Sequence, residues 1–134
     1  MTVLLFAPQS YHNATPRMIA EICNGCGAKG IGGYLVPDTL YGLNVSPVCD
    51  IHDWMYHEGS TLPDKDAADR VMYNNMIRYI DAYSCWALKW LRTRRAMKYY
   101  LAVKYFGGGA YWADKNAPSD YVSTAYVFLD SEHG

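Results

Sequence analysis

The chain has 134 residues, of which 51% are hydrophobic, 15% aromatic and 19% charged. That length suits one domain, spanning 1–134, and the composition is too apolar for a disordered chain and too interrupted by charge for a bilayer-crossing run of about 20 apolar residues. Twelve Lys and Arg against thirteen Asp and Glu leave a net charge of -1, which excludes the whole-protein basic field of a nucleic-acid binder, so attraction for an anionic partner has to be local.

At the amino terminus MTVLLF is interrupted by Pro8, Gln9 and Ser10, too early for a signal peptide, so the expected compartment is the cytoplasm. There, clustered cysteines serve as metal ligands, catalytic groups or buried apolar side chains more often than as disulfides. Thr15 and Pro16 form a cap and a first helical position, predicting a short helix through RMIAEIC that stops at Asn24-Gly25. Glycines 25, 27, 30, 32, 33 and 42, with Pro37 and Asp38, mark a shaped loop, with a small strand pair expected around Tyr34 to Val36. Ser46-Pro47 predicts the start of a helix that ends at Gly59, with Val48, Cys49, His52, Met55 and Tyr56 on its inner stripe. A second helix is predicted from about Lys65 to Tyr83, with Asp69 on the same face as Met72, Tyr73, Met76 and Ile80. A third runs from Trp86 to Phe106 and stops at three glycines, and residues 111–134 read as a strand or an extended arm. The expected fold is therefore mainly α: an antiparallel helix pair, a glycine-rich loop on one end and a basic third helix.

Consecutive helical positions point about 100° apart, so His52 and Asp53 serve different partners. In an antiparallel hairpin His52 lies roughly 10 Å before the turn and Asp69 roughly 8 Å after it, which brings the two level. A carboxylate on an apolar stripe is costly to bury without a hydrogen bond, and a histidine across the pair supplies one, giving a His-Asp dyad. Asp53, turned sideways, would face the glycine-rich loop, where a carboxylate and backbone carbonyls are what Ca²⁺ requires. An exposed Asp69 would instead pair with Lys65 or Arg70 on a solvated face.

The stretch V-C-D-I-H-D-W-M-Y (Val48 to Tyr56) resembles the C-x-x-H-D-x-x-Y helix of secreted, prokaryotic and parvoviral phospholipases A2. C-G-A-K-G (Cys26 to Gly30) is similar to their C-G-x-G-G calcium loop, and A-D-R-V-M (Ala68 to Met72) to the A-D-x-x-F stretch of the viral members. The resemblance implies a phospholipase A2-like core in which His52 activates water, Asp69 orients it and Tyr56 supports the pair by hydrogen bonding. It further implies that Asp53 and the carbonyls of Gly25, Gly27 and Lys29 bind Ca²⁺, and it matches Cys26 and Cys49 to one bridged pair. Lys29 stands where that family has glycine, and Ile31 to Tyr41 is an insertion. A second resemblance covers more of the chain: H-D-W-M-Y-H-E-G, A-D-R-V-M-Y-N-N-M and A-V-K-Y-F-G are similar to H-D-x-L-Y-x-x-G, A-D-x-x-F and A-V-x-x-F-G of a family of small uncharacterised phage and prophage proteins. It implies a phage or prophage origin in a bacterial host and supplies no reaction.

The same residues support an alternative. Cys23-x-x-Cys26 and Cys49-x-x-His52 make a complete set of four Zn²⁺ ligands, which would staple a non-catalytic structural or interaction protein. Along the third helix Lys89, Arg92, Arg94, Arg95, Lys98 and Lys104 occur with no acid between Asp81 and Asp114. With Trp86, Trp90, Tyr99 and Tyr100 around them, they suit anionic phospholipid headgroups, with nucleic-acid phosphate as the weaker alternative. Arg92, Arg94 and Arg95 are expected to face solvent between the apolar positions Leu88, Leu91 and Leu101.

Overall fold

The computed structural model describes residues 3–23 and 37–112, and these are mainly helical. Their order is α1 (Gln9–Asn13), α2 (Pro16–Ile22), β1 (Thr39–Leu40), β2 (Leu43–Asn44), α3 (Ser46–Glu58), α4 (Leu62–Tyr83), α5 (Trp86–Phe106) and α6 (Gly108–Trp112). No described helix is long and apolar enough to cross a membrane. The expected strand pair around Tyr34 to Val36 and the tail beyond 112 lie outside the described residues.

Local chemistry sets the helix starts. Thr15 caps α2 by accepting the Met18 amide at 3.2 Å, with Pro16 in the first turn. Ser46 is not the cap that the sequence suggests. It lies inside α3, and Asn44 Oδ1 takes its amide at 2.8 Å. The polar run before α4 is a capping box, in which Thr61 Oγ1 accepts from the Asp64 amide and Asp64 Oδ2 accepts from the Thr61 amide, both at 3.2 Å. α4 therefore begins at Leu62 rather than near Lys65. The hairpin β1–β2 turns through Tyr41 and Gly42, both at positive φ (46° and 83°), a conformation that glycine accepts at no steric cost.

α3 and α4 run antiparallel, because contacts climb one helix as they descend the other: His52 meets Asp69, and Tyr56 meets Lys65. α5 returns antiparallel along α4, from Lys89 against Asp81 to Val103 beside Lys65. Val48, Cys49, Met72, Met76, Ile80, Ala96 and Val103 fill the space between the helices. The inner stripe of α3 is wider than its periodicity predicts. Ile51, Asp53 and Trp54 are buried too: α2 packs against α3, and from α1 Tyr11 lies edge-on to the Trp54 ring while Ser10 joins Trp54 Nε1 (3.0 Å) to Glu58 (2.6 Å).

Arg92 corrects the solvent-facing reading of the basic helix. It is 8% exposed, and its guanidinium donates to the carbonyls of Leu40 (2.9 Å), Tyr41 (2.9 Å) and Tyr83 (3.4 Å) and to Ser84 Oγ (2.8 Å). It binds the hairpin and the end of α4 to α5, while Leu101, one of the apolar positions flanking the arginines, is 40% exposed. Hydrogen bonds to a charged group contribute about 1.5–3 kcal/mol each, so Arg92→Ala is expected to cost at least about 3 kcal/mol in urea unfolding. Arg94→Ala, on the exposed side, should change stability by less than about 0.5 kcal/mol. Equal effects of the two substitutions would contradict this placement.

Candidate active site

The residues of the expected dyad meet. His52 Nε2 lies 2.8 Å from Asp69 Oδ1, with the two side chains 2% and 1% exposed. Tyr56, one turn beyond His52, donates its hydroxyl to the same Oδ1 at 2.6 Å. Its ring packs 4.3 Å from the imidazole and 5.0 Å from Tyr111 of α6, whose hydroxyl is held by the Thr61 carbonyl at 2.6 Å. Gly107 lets α5 end close to this hydroxyl, because a Cβ there would stand 2.8 Å from Tyr56 Oη and against the Val103 carbonyl.

The other carboxylate oxygen is taken by Lys65. Its ammonium donates to Asp69 Oδ2 at 2.8 Å and to the carbonyls of Val103 (2.9 Å) and Lys104 (3.3 Å) in the last turn of α5. The pairing with Lys65 that marks an exposed Asp69 thus coexists with the dyad and is buried, Lys65 being 3% exposed. The signal for it is the spacing Lys65, Asp69, Met72, Met76 and Ile80, which places the lysine on the buried stripe.

These contacts fix the protonation states. Burial pushes the Asp69 carboxyl up, but hydrogen bonds from His52, Lys65 and Tyr56 outweigh it and hold the group below its ordinary range. Burial pushes His52 down from its ordinary value, against the pull of Asp69 and with the help of the Lys65 charge. Burial and the bond to Asp69 also raise the Tyr56 phenol, keeping it protonated. An ionised carboxylate only accepts, so His52 carries its proton on Nε2 and leaves Nδ1 as a base.

The remaining candidate residues fall around the dyad. Asp53 is 6% exposed, with Oδ1 sealed from solvent. Cys23, which leads into the glycine-rich segment, donates its thiol to the Asp50 carbonyl at 3.0 Å. Burial, with the nearby charges of Asp50 and Asp53, pushes that thiol up to about 12. The chain thus enters the segment carrying Gly25, Gly27 and Lys29 beside the carboxylate expected to bind calcium, and those three residues and Cys26 lie outside the described residues. Among the described residues no three His, Cys, Asp or Glu side chains form a metal cluster. Cys49 is disulfide-bonded, whereas Cys23 and Cys85 are free. A groove of about 320 Å³ between α4 and α5, lined by Pro63, Asp66, Arg70, Tyr100 and Lys104, reaches Asp69 from outside.

Comparison with family models, curated proteins and solved structures finds no match to this chain.

The two buried groups make stability fall with acidity in two steps. The unfolded chain takes up a proton on His52 below about pH 6.5 while the folded state does not, so stability is lost as pH falls through that value. The depressed Asp69 contributes stability that is complete above about pH 4 and lost as pH falls further. In thermal melts His52→Gln is expected to remove the upper step and keep the lower one. An unchanged upper step in that variant would refute the assignment to His52.

Proposed function

We propose that this chain is a phospholipase A2-like ester hydrolase working through the His52-Asp69 dyad. The observation that carries the reading is the convergence of His52 and Tyr56 on Asp69 Oδ1, at 2.8 and 2.6 Å, inside an antiparallel helix pair. It is the placement implied by the resemblance of Val48 to Tyr56 and Ala68 to Met72 to the phospholipase motifs.

His52 Nδ1 takes a proton from water as the water oxygen attacks the ester carbonyl carbon. Asp69 stabilises the imidazolium, and Tyr56 and Lys65 keep the carboxylate oriented while the charge moves. The proton then passes from Nδ1 to the leaving alcohol oxygen, so that fatty acid and lysolipid leave and the neutral imidazole is restored. Burial, and to a smaller degree the Lys65 charge, disfavours the imidazolium, which the Asp69 carboxylate opposes. A sealed carboxylate at Asp53, beside the entry to the glycine-rich segment, is a hard oxygen donor of the kind calcium takes. Ca²⁺ held there with the carbonyls of Gly25, Gly27 and Lys29 would supply the positive charge that polarises the ester carbonyl.

Calcium-dependent release of fatty acid from anionic phospholipid vesicles is expected, falling by about 100-fold or more in His52→Gln with the fold intact. Equal rates for the two proteins would refute the assignment. In the absence of substrate, calcium should raise the melting temperature of the wild type and leave Asp53→Asn unshifted. One stoichiometric zinc per chain, lost with unfolding on chelation, would instead establish the zinc-stapled alternative.

A further inference from the structure

α5 is apolar on two sides. Arg92, Ala96, Tyr99 and Val103 form the face buried against the rest of the fold. At about 100° per residue, Trp86, Trp90, Met97, Leu101 and Tyr105 fall on the opposite side within an arc of about 100°. They are 87%, 60%, 40%, 40% and 67% exposed. The stripe is about 28 Å long, far more than a scatter of single surface apolar residues. Arg94 and Lys104 share its arc and Lys98 borders it, all three exposed. Two of these cations lie along its rings, with the Arg94 guanidinium 5.0 Å from the Trp90 centroid and the Lys104 ammonium 5.5 Å from that of Tyr105. Other cations of the helix are engaged elsewhere: Lys89 pairs with Asp81, Arg92 is buried, and Arg95 is bonded to Tyr41.

We propose that this outward face of α5 docks on an anionic lipid bilayer. Its chemistry combines indole and phenol rings, which occupy the boundary between headgroup and acyl chain, with cationic side chains running along those rings toward lipid phosphates. The charge pattern selects the occupant. No acid occurs between Asp81 and Asp114, so the face attracts an anionic surface. A second copy placed on the same stripe would set Arg94, Lys98 and Lys104 against their own kind, which disfavours self-pairing. Lys65 joins Asp69 to the Val103 carbonyl on the buried side of α5, so docking tethers the protein at the surface with α5 between the bilayer and the dyad. The proposal is independent of the hydrolase reading.

The test is co-sedimentation of the full chain with vesicles of ether-linked phosphatidylglycerol or phosphatidylcholine, lipids that no esterase cleaves. Binding is expected to the anionic vesicles alone and to weaken as salt rises. The pair Trp86→Ala and Trp90→Ala should abolish it, and the pair Arg94→Glu and Lys98→Glu should weaken it by roughly tenfold or more. Both pairs alter exposed positions, and circular dichroism identifies a folded variant. Equal binding to the two lipids, or undiminished binding in both folded variants, would overturn the proposal. So would a concentration-dependent dimer that the tryptophan substitutions dissolve, since the face would then belong to a second copy.

Discussion

A carboxylate withdrawn from water at the centre of a helical protein has to be answered by donors, and Asp69 is answered from two helices at once. His52 and Tyr56 come from α3, and Lys65 comes from the preceding turn of α4. Leaving such a charge without its partner costs about 3–5 kcal/mol, comparable with much of a small domain's net stability. The contact therefore fixes the register of α3 on α4 as firmly as the apolar stripe does. It also constrains the imidazole, because an ionised Asp69 only accepts and so favours the tautomer protonated on Nε2.

Lys65 extends the constraint to the third helix. Its ammonium donates to two carbonyls in the last turn of α5, that of Val103, which also accepts the Gly107 amide, and that of Lys104. Arg92 does comparable work elsewhere, collecting carbonyls from the hairpin turn and the end of α4. Both are buried cations placed where helices and turns end. They tie backbone carbonyls of neighbouring elements together in a way that apolar side chains could not.

Much of this was legible in the sequence. The spacing of Val48, Cys49, His52 and Tyr56 against Asp69, Met72 and Met76 was enough to pair two helices and bring a histidine level with an aspartate. Lys65 and Arg92 were not read as buried, because a long cationic side chain on a helix is ordinarily solvated, and only knowledge of which carbonyls end nearby reverses that expectation. The outward apolar stripe of α5 was not read, because a helix with apolar residues on opposite faces gives no single stripe to follow. α1 and α6 were missed because each is five residues long, shorter than the window in which helical periodicity shows. Tyr111 was read as the start of a strand or an extended arm, yet it lies in α6 and its ring supports Tyr56.

The most direct measurement is nitrogen NMR of the imidazole rings at neutral pH, with His52→Gln to assign the signal. His52 is expected to be neutral and protonated on Nε2, its hydrogen bonded to Asp69, with Nδ1 bare. A ring protonated on Nδ1 alone, or on both nitrogens, would contradict it, because neither form leaves a base to take a proton from water.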